Sequence, residues 1–219
     1  MSSPIGSLLL RALDPPQEIE EDQLALRILD ATVEQAGMNG LRGLAIDEVA
    51  RRADTTRMTV YRRFGRREQL IEAMAIRETR RFIAAVGAAA AACETIEDKG
   101  AEAFIVGLGF MHQHAFARRA IESEPEAIIE MLEAEDGLIF SMGRDFIAEG
   151  LRTAHSEHAY PDELAETLLR IFISFLLLPR SIVALDEQDA ARAYIRACIA
   201  PIITAGPTRL SSPDLTFHR

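Results

Sequence analysis

From residue 21 to residue 204 the apolar residues recur at spacings of three and four, and no stretch sustains the alternation of a half-buried strand. A chain patterned this way buries its apolar stripes by packing helix on helix, so the expected fold class is all-α. Leu26, Leu29, Val33 and Ala36 mark one face of a first helix, which Gly37, Asn39 and Gly40 end. Short helices follow at about 46–52 and 56–64, then a longer one from 67 to 92. Further helices are expected at about 97–118, 126–135, 137–155, 162–179 and 187–204. The separators are Ser123 to Pro125, Asp136-Gly137, Tyr160-Pro161 and Leu185-Asp186. Residues 1–20 and 206–219, proline-containing and without periodicity, read as a mobile arm and a loose tail.

The longest apolar-rich run, Leu168 to Leu178, is interrupted by Arg170 and Ser174 and is too short for a bilayer, which takes roughly 20 residues. No membrane partner is expected. The N-terminus lacks the charged and apolar regions of a secretory signal. Two cysteines make no disulfide framework, which points to a reducing cytoplasm.

Net charge seems at first to exclude nucleic acid, since the 219 residues sum to −10. Its distribution says otherwise. Residues 1–81 hold 13 basic and 13 acidic groups, so the whole excess lies beyond residue 81. Within Arg51 to Arg67 stand seven arginines and one acid, Asp54. That asymmetry divides the chain into a region over 21–66 that holds most of the arginine cluster and an acidic helical region over 67–205, with 67–92 as the connecting helix.

The basic segment has the helix, short turn and helix of a helix-turn-helix. Ala50 is small where two crossing helices approach, and Asp54 is among the few non-glycine types that tolerate positive φ. Thr55 or Thr56 can cap the second helix, and Val60 and Phe64 hold it to a core. Arg57, Met58, Thr59, Tyr61 and Arg62 are left on exposed faces. Arginine bonds a guanine edge in two places, and threonine and methionine meet a thymine methyl. Tyrosine hydroxyl and guanidinium groups reach phosphates. Arg66 and Arg67 open the next helix, whose N-terminal dipole favours an anion. The same charges also fit a patch for an acidic protein, the alternative reading of the whole chain as an all-α ligand-binding or interaction module.

The stretches Ile28-Leu-Asp-Ala-Thr32 through Gly40, Ile46-Asp-Glu-Val-Ala-Arg-Arg-Ala53, Thr59-Val-Tyr-Arg-Arg-Phe64 and Arg67-Glu-Gln-Leu70 resemble the tetracycline-repressor-like (TetR) regulators. The resemblance implies a three-helix reading domain followed by a larger effector and dimerisation domain. It implies a homodimer on a palindromic double-stranded DNA operator, released by a small molecule. By matched position Thr56, Arg57, Met58 and Thr59 face bases, while Tyr61, Arg62 and Arg67 hold phosphates. Ala45 departs from the family's usual capping threonine, and Arg63, which replaces a common histidine or tyrosine, is placed to offset that lost contact. Asp54 stands for the usual turn glycine, Arg67 for a lysine and Ala36 for an aromatic.

In the acidic region Leu164, Leu168, Ile171, Phe175 and Leu178 form a heptad-like seam. Ala190, Ala193, Ala197 and Ala200 recur on the last helix. The pair fits half of a four-helix bundle across a two-fold axis, or two core helices of a monomer. Phe104, Leu108, Met111 and Ala115 with His112, and Ile139, Met142 and Phe146, are stripes that fit either an adaptable ligand cavity or plain core. The resemblance favours a ligand, apolar or amphipathic. His112 and His114, two apart on a helix, point away from each other, and His155 and His158 have no cysteine nearby, so no metal site is expected. No nucleophile elbow, Walker or dinucleotide motif is present, so neither enzymatic activity nor a cofactor is expected.

Overall fold

The computed structural model describes residues 23–123, 125–154, 160–178, 182 and 187–204, without the side chains of 127, 131, 134–136 and 188. The expected arm and tail, the His155 and His158 pair, and the Leu185-Asp186 boundary lie outside them. Every regular element among the described residues is a helix. They are α1 (Gln23–Asn39), α2 (Ile46–Arg52), α3 (Arg57–Phe64), α4 (Arg67–Ala91), α5 (Ile96–Gln113), α6 (Ala115–Ser123), α7 (Pro125–Ala154), α8 (Pro161–Leu177), α9 (Gln188–Cys198) and α10 (Ala200–Thr204).

Two cores organise them. The first gathers Ile28, Leu29 and Ala36 of α1, Ile46, Val49 and Ala50 of α2, Val60 of α3, and Leu70 and Met74 of α4. The first turns of the connecting helix therefore close the N-terminal domain from below. The second core gathers Ala101, Phe104 and Leu108 of α5, Ala148 and Leu151 of α7, Leu164, Ala165 and Leu168 of α8, and Ile195 and Ile203 of α9 and α10. Helix α5 is its centre, packed on α4, α8, α9 and α10. Phe104 sets its ring edge-to-face on Phe172 (5.4 Å) and Phe175 (6.0 Å).

Three helix boundaries differ from the expected ones. The helix expected at 97–118 breaks at His114, whose backbone is extended (φ −71, ψ 115). The break is stabilised by its own side chain: Nδ1 of His114 accepts the Ala117 N–H (3.2 Å) and so starts α6. Ala115 thus leaves the face of Phe104, Leu108 and Met111. The helices expected at 126–135 and 137–155 form the one helix α7, which runs through Gly137 although that residue takes φ +75. The last helix divides at Ile199, because Pro201 has no N–H to donate back and its ring crowds the preceding turn.

The domains meet along α1, α4 and the α5–α6 corner. Gly37 of α1 lets Ala115 approach so closely that a Cβ there would lie 2.7 Å from the Ala115 Cβ. Phe116 packs on the N-terminal core, and Arg119 donates to the Met38 carbonyl (3.2 Å). Beside this contact is a buried ionic cluster. Arg77 reaches Asp30 of α1 (2.8 Å) and donates to the Leu26 carbonyl (3.3 Å) and to Glu78 (2.7 Å). Glu78 also meets Arg81 (3.1 Å) and His114 (3.2 Å). Since Nδ1 of His114 accepts from Ala117, Nε2 carries the proton and donates to Glu78.

Candidate nucleic-acid interface

Helices α2 and α3 form the expected helix-turn-helix. At the turn Asp54 takes φ +51, and Thr55 N–H bonds the Ala50 carbonyl (2.9 Å). Of the two candidate caps, Thr56 is the one used: its Oγ1 accepts the Thr59 N–H (3.2 Å). Ala45 supplies no side-chain cap to α2. Val60 is 1% exposed and anchors α3, with Phe64 and Tyr61 packed beside it. The opposite face carries exposed Arg57, Met58, Arg62 and Arg63, with Thr59 half-buried between them. Met58, at 74% exposure, is a large apolar side chain held in water at the middle of this face.

Much of the arginine charge is balanced locally. Glu48 bonds Arg51 (2.6 Å) and Arg52 (3.0 Å), and Arg52 reaches Glu34 as well (3.2 Å). The Arg51 hydrogen bond leads in holding the Glu48 carboxyl at about 2, against burial and with help from both arginine charges. Arg57 pairs with Asp47 (3.2 Å), donates to the Tyr61 hydroxyl (3.2 Å) and lies 5.3 Å above that ring. A count begun at Arg51 omits the two acids just before it.

Arg67, expected at a phosphate, is also engaged within the chain. Its Nε donates to the Leu44 carbonyl (3.0 Å), and NH2 donates to the carbonyls of Leu41 and, at 3.3 Å, Arg42. The guanidinium ties the loop before α2 to the start of α4 and has few donors left for a phosphate. Arg62, Arg63 and Arg66 stand exposed around the α3–α4 corner.

Two structural neighbours and a family model now bear on this geometry. Residues 28–74 match the model described as bacterial regulatory proteins, tetR family. The N-terminal domain is of the TetR family. At the level of the whole fold, the chain is similar to the TetR family repressor AlkX from Dietzia sp. strain DQ12-45-1b, implicated in biodegradation of n-alkanes. That likeness has a TM-score of 0.53 and 20% identity, over 83% of this chain and 95% of that one. It is similar also to a TetR-like transcriptional regulator from Rhodococcus sp. RHA1, with a TM-score of 0.55 and 18% identity, over 88% of this chain and 97% of that one. No curated protein sequence matches. The described helices therefore have the fold of TetR-family transcriptional regulators, and none of them is long and apolar enough to cross a membrane.

In the C-terminal region of this TetR-type fold, Phe104 and Leu108 are buried in the core with Met111 packed against it, while His112, Ile139, Met142 and Phe146 are half-buried. A cleft of about 630 Å³ opens elsewhere, where the end of α4 faces α9. It is lined by Cys93 and by ion pairs, Arg192 with Glu102 (2.7 Å) and Arg196 with Asp98 (3.1 Å), and includes none of the expected stripe.

The residues of the expected dimer seam differ in burial. Leu164 and Leu168 are buried in the chain's own core, because α8 turns that edge towards α5 and α7 and not outwards. Ile171 and Phe175 are half-buried, Ala190 is half-buried, and Ala193 and Ala197 are exposed on α9. Sequence reasoning passed over the Arg77, Glu78 and His114 cluster. Its signal was present: continuing the inward spacing of Leu70 and Met74 along α4 arrives at Arg77 and Glu78.

Proposed function

We propose that this protein is a ligand-responsive transcriptional repressor that acts as a homodimer on a partly palindromic DNA operator. The observation that carries this reading is the capped helix α3, anchored by Val60 and presenting Arg57, Met58, Arg62 and Arg63 to solvent within a TetR-family domain. Thr56 to Thr59 read base edges, and Tyr61, Arg62 and Arg63 hold phosphates. Two copies reach half-sites about 34–36 Å apart, one helical turn of DNA. Leu164 and Leu168 drop out of the dimer surface, which takes Ile171, Phe175 and the alanine face of α9.

The effector is an apolar or amphipathic small molecule entering among Met111, His112, Ile139, Met142 and Phe146. It releases DNA only if it binds more tightly to the conformation whose reading heads mismatch the half-sites. No catalysis is assigned, and the site of action is the cytoplasm.

Selection of bound fragments from random duplex DNA tests the reading. The expected product is a palindrome that the protein footprints. Tyr61→Phe should weaken binding to the selected and random duplexes alike, whereas Arg57→Ala and Thr59→Ala should lower discrimination between them. Wild-type binding by all three variants at fixed salt would remove α3 as the reading helix. Failure to enrich any sequence would favour an arginine patch for an acidic protein.

A further inference from the structure

Asp47 and Arg57 sit ten positions apart, on different helices of the helix-turn-helix, and their side chains meet at 3.2 Å (Oδ2) and 3.5 Å (Oδ1). The pair stands on the exposed side, with Asp47 71% and Arg57 58% exposed. Arg57 is held on its other side by Tyr61, through the hydroxyl at 3.2 Å and the ring face at 5.3 Å.

A guanidinium has five N–H donors. Asp47 takes one on NH1 and Tyr61 takes one on NH2, which leaves Nε–H and the second hydrogens of both terminal nitrogens. A bidentate bond to guanine needs two of these, set in a fixed plane. A phosphate contact needs something different: uncompensated positive charge, which gives the sequence-independent and salt-dependent part of DNA binding. The carboxylate beside Arg57 cancels that charge and repels an approaching phosphate, yet leaves the donor edge intact. Paired with that carboxylate, the guanidinium also keeps its orientation.

We propose that Asp47 is a specificity-determining residue, which withholds Arg57 from backbone phosphates and presents its remaining N–H edge to a guanine. This rests on the reading of α3 as the DNA-contacting helix.

The test uses the full chain, a random-sequence duplex, and the sequence enriched by the wild type. Asp47→Asn keeps the shape and removes the charge, and Asp47→Ser serves as a second variant. Asp47→Asn should bind the random duplex about threefold to fivefold more tightly at fixed low salt. Its log–log salt slope should steepen by about 0.9, the release of one further phosphate's counterions. The preference for the enriched sequence should fall correspondingly. In the Arg57→Ala background the same Asp47→Asn change should add nothing.

Unchanged random-duplex affinity and slope in both Asp47 variants, with the wild type still enriching a sequence, would overturn this proposal alone. A full gain that persists in the Arg57→Ala background would overturn it too, because Asp47 would then repel phosphate without acting through Arg57. A wild type that neither binds duplex DNA at low salt nor enriches a sequence overturns the functional reading, and this one with it.

Discussion

Replacing Glu78 by glutamine keeps the shape of a side chain that is only 9% exposed and removes its charge. Burial pushes the Glu78 carboxyl upward, but the His114 hydrogen bond and the charges of Arg77 and Arg81 outweigh it and hold the group at about 2 against an ordinary 4.5. At 1.36 kcal/mol per unit that depression is worth about 3 kcal/mol of folded stability. The folded value lies below the unfolded one, so the contribution is complete above about 4.5 and disappears as the pH falls towards about 2. Glutamine also leaves Arg77 buried with Asp30 as its remaining carboxylate partner in the cluster. Breaking a buried pair from one side typically costs about 3–5 kcal/mol, in line with the linkage figure. Urea unfolding followed by far-ultraviolet circular dichroism, at several pH values, reads the effect. Glu78→Gln should lose about 3 kcal/mol at neutral pH and converge on the wild type near the acid end. A deficit below about 0.5 kcal/mol at neutral pH, the range of an ordinary surface substitution, would refute the argument. So would a deficit that stays constant as the acid end is approached.

Gly37→Ala would bring a Cβ to 2.7 Å from the Ala115 Cβ and 2.9 Å from its carbonyl carbon, and backbone does not yield cheaply. A loss of about 1–3 kcal/mol is expected in thermal or urea unfolding. Gly87→Ala, in the exposed interior of α4 with nothing within 4 Å, should gain about 0.5–1 kcal/mol in the same assay. Arg67→Ala should lose about 1.5–3 kcal/mol, because it removes charge-assisted bonds to the carbonyls that fix the loop before α2. Where the variant is still folded, its affinity for random duplex DNA should fall no more than about threefold. Intact stability with abolished DNA binding would instead make Arg67 a phosphate ligand.

The junction cluster also ties the N-terminal domain to the α5–α6 corner. His114 both starts α6 and holds Glu78 of α4, while Arg77 holds α1.

What the sequence determined by itself is local in origin. The all-helical class, the turn at Asp54, the cap at Thr56 and the anchors Val60 and Phe64 rest on propensity, φ tolerance and spacings of three or four, all carried within a few residues. Those same rules leave Arg57, Met58, Arg62 and Arg63 facing solvent. Tertiary structure decided what each polar or apolar side chain meets. Arg67, a phosphate ligand by motif, is drawn to carbonyls 23 to 26 positions away. His114, expected inside a continuous helix, becomes a corner whose ring reaches back 36 positions to Glu78. Leu164 and Leu168 lie on a correctly recognised apolar stripe, but periodicity states only that a stripe must be covered. Which neighbour covers it, another helix of the same chain or a second copy, depends on packing between distant segments, and in α8 the chain's own core took those two residues.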